Sequence, residues 1–198
     1  MSRTATKELT RERLLDRGVA MLTEQGYHGT GLQDLLASVQ VPKGSFYNYF
    51  ASKEEFGAEV IRHYIEPFIR QLEEGLARPD VDALSALHGY FGGLVEELGR
   101  RQFKGGCLLG NLLGEIGDTH ETCLAALREA VHRYRDTLER ALAKAQQEGT
   151  VRQDLPASAM ADLLADGWQG ALLRMKVEQS VRPLESLIEH LLGGYFRA

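Results

Sequence analysis

No stretch of this 198-residue chain approaches the roughly 18 consecutive apolar residues that a membrane span requires. The opening residues, MSRTATKELTRERLL, lack the apolar core of a secretory signal. With only two cysteines, Cys107 and Cys123, there are too few for a disulfide framework, and a reducing, cytoplasmic location is expected. No segment alternates with a period of two, so no half-buried strand is expected. Without strands, Gly105-Gly106-Cys107-Leu108-Leu109-Gly110 is not a phosphate-cradling loop. The six histidines (His28, His63, His88, His120, His132 and His190) are scattered, and His120-Glu121-Thr122-Cys123 lacks metal-ligand spacing. Neither a metal nor a cofactor is expected. Internal repeats and low-complexity segments are also missing.

What remains is an ordinary globular composition, 43% hydrophobic and 26% charged, long enough to bury a sizeable core. The net charge of −5 alone argues against a nucleic-acid partner. Its distribution argues otherwise. Residues 1–53 carry seven Lys and Arg against five Asp and Glu, and residues 54–198 carry sixteen against twenty-three. An acidic body with a mildly basic N-terminal module suits a protein that touches DNA at one end, although ordinary surface variation accounts for the pattern equally well.

Helical periodicity runs throughout, punctuated by five prolines. A first helix is expected from an N-cap at Thr10 to Gln25, with Gly26 as its left-handed stop. Thr30-Gly31-Leu32-Gln33 has the form of a capping box and opens a short helix ending near Ser38. Val39-Gln40-Val41 makes the turn, and Pro42 starts a third helix from Lys43 to Tyr49. Two short helices joined by such a turn are a helix-turn-helix. Ser52-Lys53-Glu54-Glu55 is a second capping box, opening a long helix that fades near Arg78. Further helices are expected at about 82–101, 107–117, 119–148, 156–177 and 183–195. The fold class is therefore all-α, with a helix-turn-helix module over 1–52 and a larger helical domain over 53–198.

In such a module the second helix enters the major groove with its early residues toward base edges. Lys43 can donate to guanine, Asn48 can pair with adenine and Ser45 serves either. Gly44 lets the backbone lie close to DNA. Tyr47 and Tyr49 carry hydroxyls suited to phosphates, Lys53 reaches a phosphate as a point charge, and Phe46 and Phe50 pack inward.

Thr30-Gly31-Leu32-Gln33-Asp34-Leu35-Leu36, then Val41-Pro42-Lys43-Gly44-Ser45-Phe46-Tyr47-Asn48-Tyr49-Phe50 and Ser52-Lys53-Glu54, closely resembles the N-terminal signature of TetR-family transcriptional repressors. The resemblance covers residues 10–56. It implies an all-α homodimer with a DNA-reading head and a ligand-sensing body, released from its operator by a small-molecule inducer. The DNA-facing set is then Thr30, Gln40, Lys43, Gly44, Ser45, Tyr47, Asn48, Tyr49 and Lys53. One departure is Val39-Gln40, where the family commonly has Ala-Gly; Gln40 implies a turn that tolerates a Cβ and adds a polar side chain toward DNA.

A narrower resemblance lies in the body. Gly106-Cys107-Leu108-Leu109-Gly110-Asn111-Leu112 with Glu115, and Gly170-Ala171-Leu172-Leu173-Arg174-Met175-Lys176, resemble segments of a subgroup that answers electrophiles of the N-ethylmaleimide or acrylate type. In that subgroup the cysteine matching Cys107 is the sensor, and the lysine matching Lys176 is its partner after oxidation. The residues themselves agree: Cys107 stands at an expected helix N-terminus, two glycines precede it, and Lys104 lies three residues before it, all favouring the thiolate. The bland alternative is a small buried hydrophobe. Asn111 and Glu115 share a helix face and either bind a ligand or cap a neighbouring element. Trp168, flanked by Gly167 and Gly170, lines a pocket or packs against a dimer partner. Cys123 reads as structural.

The expected protein is thus a homodimeric repressor on a pseudo-palindromic double-stranded DNA operator, with no membrane partner and no enzymatic activity. Its last two helices pair with their mates through Leu163, Leu164, Leu187 and Leu191. The alternative is a repressor sensing a non-covalent apolar ligand, with Cys107 structural. A thiol enzyme using Cys107 would need a base, and no histidine lies near it in sequence.

Overall fold

The computed structural model describes residues 3–116 and 120–198. Among these residues the chain forms nine α-helices: α1 (Arg3–Gly29), α2 (Leu32–Ser38), α3 (Lys43–Phe46), α4 (Lys53–Leu76), α5 (Ala83–Arg100), α6 (Leu108–Ile116), α7 (Glu121–Gln147), α8 (Ala157–Glu178) and α9 (Arg182–His190). A π-helical turn, Leu191–Tyr195, extends α9, and the one β pairing among the described residues is an isolated bridge between Val151 and Arg197. The all-α expectation holds. The expected boundaries at 117 and 119 lie outside the described residues.

Helix starts show where local sequence rules win and where they lose. The Ser52 box forms: Glu55 N–H donates to Ser52 Oγ at 3.0 Å, and Glu55 Oε2 accepts from Ala51 N–H at 2.5 Å. Asp82 likewise caps α5 by accepting from Ser85 N–H at 2.8 Å. Thr10 is no cap. It sits inside α1, its hydroxyl donating to Thr6 O at 2.9 Å, and the helix starts at Arg3. The Thr30 box does not form either, because Thr30 is buried, its hydroxyl donates to Gly26 O at 2.7 Å, and Gly31 takes the N-cap position. Gly26 does break α1, but with φ 73° and ψ −179° rather than in the left-handed helical well. The third helix is one turn long and ends at Phe46, short of the expected Tyr49, with Pro42 at its N-cap.

The chain divides into two compact units, residues 1–66 with 107–131, and residues 67–106 with 132–198. In the first, α6 packs on α1, and α1 meets the opening of α4 at Gly18, where a Cβ would lie 2.6 Å from both Phe56 and Val60. Only glycine permits that approach. Its core includes Leu14, Leu22, Leu35, Phe46, Phe50, Phe56 and Ile61, each worth roughly 1.5–3 kcal/mol when buried.

In the second unit α8 packs on α9, and Trp168 is buried with its ring 4.8 Å from that of Phe91. Leu164 is wholly enclosed in this core, so it is not available to a partner chain as the sequence suggested. Leu187 and Leu191 are half-buried, and Leu163 is 49% exposed. Arg135 ties α7 to α8 through Asp162 at 2.7 Å, while also pairing with Glu139 at 2.6 Å.

Candidate nucleic-acid interface and sensing segment

The turn between α2 and α3 is a Schellman closure. Val41 N–H donates to Leu36 O at 3.0 Å and Gln40 N–H to Ala37 O at 3.2 Å. This closure puts Gln40 at φ 57°, the left-handed region, which costs a side-chain-bearing residue about 1–2 kcal/mol. The turn therefore accepts a Cβ only under strain. Beyond it, Phe46 and Phe50 are buried against Phe56, with ring centroids 5.4 Å apart for Phe46–Phe50 and 4.9 Å for Phe50–Phe56. Anchoring these two rings turns Lys43, Gly44, Tyr47 and Asn48 outward to solvent, while Ser45 and Tyr49 are half-buried. Tyr47 is 58% exposed, a large aromatic on an otherwise polar surface. Gly44 has open space around it, as a backbone that admits a close neighbour would.

Two residues of the expected DNA-facing set sit differently. The Thr30 side chain is buried, because its hydroxyl closes the break at Gly26, so it presents no group to a ligand. Lys53 donates from Nζ to Tyr27 O at 3.1 Å and lies 4.9 Å from the Tyr27 ring centroid. That places its charge near the carbonyl end of α1, where a cation is favoured. Other basic residues, unremarked in the sequence, face the helix-turn-helix itself. Arg11 sits 5.5 Å over the Phe50 ring and pairs with Glu59 at 2.7 Å; Lys7 lies 5.9 Å over Tyr49. Arg13 donates to Val39 O and Arg17 to Ser38 Oγ, both at 3.1 Å. Their spacing of four along α1 was the one signal that could have marked them.

Cys107 stands immediately before α6, half-buried, its carbonyl accepting from Asn111 N–H at 3.0 Å. From the same helix, Asn111 Nδ2 donates to Thr23 O at 3.1 Å, and Glu115 Oε2 accepts from Tyr27 N–H at 2.8 Å. The Tyr27 N–H needs this acceptor because the break at Gly26 removes its helical one. Glu115 fills the space that a Cβ on Gly26 would take, 2.1 Å from its Oε1. Asn111 and Glu115 thus cap a neighbouring element. Trp168 belongs to the core of the second unit. In that same unit Lys176 packs on Gly106, its Cε 2.6 Å from where a Cβ would stand. Cys123 is buried, donates to Glu54 O at 3.2 Å, and has its thiol pushed up to about 11 by burial and by Glu54. That is the environment of an unreactive thiol.

A one-turn helix anchored by two phenylalanines, held beyond a tight closure and presenting Lys, Gly, Tyr and Asn, defines a helix-turn-helix DNA-binding regulator. Comparison with known proteins makes the assignment particular. The description "Bacterial regulatory proteins, tetR family" matches residues 14–60, and "Tetracyclin repressor-like, C-terminal domain" matches residues 81–191. The chain belongs to the TetR family of transcriptional regulators. It is 33% identical to the HTH-type transcriptional repressor DhaR of Mycobacterium sp. (strain GP1), covering 90% of this chain and 88% of that one. Against the transcriptional regulator AcuR of Cereibacter sphaeroides the identity is 34%, over 90% of this chain and 81% of AcuR. The crystal structure of Escherichia coli NemR in its reduced form superposes with a TM-score of 0.84 at 28% identity, covering 96% of this chain and 98% of that chain. Among the described residues no helix is long and apolar enough to cross a membrane.

Proposed function

We propose that this chain is a homodimeric repressor that leaves a pseudo-palindromic operator when a reactive electrophile or oxidant modifies Cys107. In this reading residues 1–52 form the DNA-reading head, with Lys43, Ser45 and Asn48 toward bases and Tyr47, Tyr49 and the Gly44 backbone toward phosphates. Residues 53–198 sense the inducer and dimerise. The observation that carries the proposal is the course of α6. It opens at the Cys107 carbonyl and is bonded one and two turns later to Thr23 and Tyr27 of α1, so chemistry at its first residue acts on a helix tied to the head. With an unsaturated carbonyl compound, the thiolate sulfur adds to the β-carbon. The resulting enolate takes up a proton equivalent to the one the thiol lost, so the product is a neutral thioether adduct. Lys176, packed on Gly106, is a second member of the sensing set.

The dimer face is assigned to the apolar groups that α8 and α9 leave uncovered: Leu163, Leu173 and Val177, the last 85% exposed, with half-buried Leu187, Ile188 and Leu191. Dimerisation through this face sets two recognition helices on successive turns of one side of the duplex. Support for redox sensing also comes from likeness to NemR, a protein solved in a form described as reduced.

A mobility-shift assay on the DNA upstream of the protein's own gene tests the reading. Wild type and Cys123→Ser are expected to release DNA after N-ethylmaleimide treatment, with one adduct per chain by mass spectrometry. Cys107→Ser is expected to stay bound. Release by treated Cys107→Ser protein removes Cys107 from the mechanism and favours a non-covalent apolar inducer.

A further inference from the structure

Seven cations in residues 1–53 suggested a charged face for DNA. The structure uses several of them within the head. Arg13 and Arg17 lie four apart on one face of α1, and both reach the last turn of α2. Arg13 donates to the carbonyl of Val39, the C-cap residue. Arg17 donates to Ser38 Oγ, and that hydroxyl passes a bond of 2.7 Å on to Leu35 O. These acceptors are the orphan groups of a helix end, where a cation is also favoured by the helix dipole. Immediately beyond is Gln40, the strained residue at the position where glycine would sit without cost. The turn therefore carries a side chain that opposes its own geometry, and two guanidinium groups hold the helix end from which it springs. The direction of α3, and with it of Lys43 and Asn48, depends on that turn.

We infer that Arg13 and Arg17 are positioning residues for DNA recognition: they clamp the end of α2 so that the strained turn at Gln40 aims the recognition helix, and they are not phosphate contacts. This inference rests on the operator-binding reading above. It also reinterprets the basic head, since part of its positive charge is spent on internal acceptors.

Salt dependence separates the two roles. A phosphate contact contributes about 0.9 to the slope of log affinity against log salt, whereas a positioning residue contributes nothing to it. The full-length chain is titrated by fluorescence anisotropy against a duplex that the wild type selects from a randomised pool, across a potassium chloride series. Arg13→Ala and Arg17→Ala are each expected to weaken binding about tenfold at every salt concentration, the loss of a charge-assisted bond, with unchanged slope. Lys43→Ala is the contrast and lowers the slope by about 0.9. In a Gln40→Gly background, where the turn no longer needs holding, the arginine changes cost several-fold less. Ser38→Ala, which alters no charge, weakens binding like Arg17→Ala, and the two combined are no worse than either.

A slope shallower by about 0.9 in either arginine variant makes that residue a phosphate contact and overturns the inference. So does undiminished affinity, or an arginine effect of the same size with Gln40→Gly. If Arg13→Ala loses its helical circular dichroism, the Arg17 and Ser38 pair decides by the same criteria. A wild-type chain that selects no duplex refutes the operator reading itself, a different result from any of these.

Discussion

Replacing Gly26 by alanine tests whether α6 is seated on α1 as described. Two separable costs follow from the geometry. The backbone there has φ 73° and ψ −179°, a region essentially reserved for glycine, and forcing a side chain into it costs about 1–3 kcal/mol. The new Cβ also falls 2.1 Å from Glu115 Oε1, so the carboxylate must leave and release the Tyr27 N–H it accepts at 2.8 Å. Losing a hydrogen bond to a charged group costs about 1.5–3 kcal/mol, and the half-exposed Glu115 belongs at the lower end. Together these come to roughly 3–4 kcal/mol, a large share of the 5–15 kcal/mol that ordinarily separates folded from unfolded chains. Urea unfolding followed by far-ultraviolet circular dichroism measures it, with chain concentration held constant because self-association enters the apparent stability. The decisive comparison is the same change in a Glu115→Ala background. There the carboxylate has already gone, and only the backbone cost of about 1–3 kcal/mol remains. Equal costs in the two backgrounds would falsify the seating of Glu115 beside Gly26.

Other expectations are simpler. The Cys123 thiol is raised from its ordinary 9.0 to about 11, chiefly by burial, so the folded chain holds this proton more tightly than the unfolded one. Its contribution to stability is complete below about pH 9 and is lost as pH rises through about 11. Cys123→Ala should flatten the fall of stability across that window in denaturant titrations at stepped pH. Ser52→Ala removes the cap accepting from Glu55 N–H and is expected to cost about 1 kcal/mol, read as a lower urea midpoint with an unchanged m-value. Gln40→Gly relieves the left-handed turn and should raise the urea midpoint by the equivalent of about 1 kcal/mol.

Much of the helical order could be read from local chemistry. Ser52 and Asp82 cap where side chain and backbone lie close in sequence, and Pro156 and Pro183 mark helix openings near their observed places. Thr30 looked equally like a cap. Its hydroxyl was claimed by Gly26 O, which is exposed by a break four residues earlier, and that competition is invisible in the four-residue pattern. Thr10 failed for a related reason: a threonine hydroxyl inside a helix can bond back to the preceding turn. In the candidate site, burial of Phe46 and Phe50 followed from composition, whereas the roles of Asn111 and Glu115 depend on acceptors and donors 88 residues distant. The positive φ at Gln40 was concealed because a glutamine occupies a position that glycine usually announces.

Neither compact unit is a continuous piece of chain: the first is completed only by residues 107–131, the second by residues 67–106 with 132–198. During synthesis the first helices must therefore wait, since Thr23 O and Tyr27 N–H receive their partners only when Asn111 and Glu115 have emerged. The same interleaving limits engineering. A chimaera that transplants the N-terminal segment alone onto another regulator leaves those two backbone groups without their native partners. A graft that also carries residues 107–131 takes the whole unit with it.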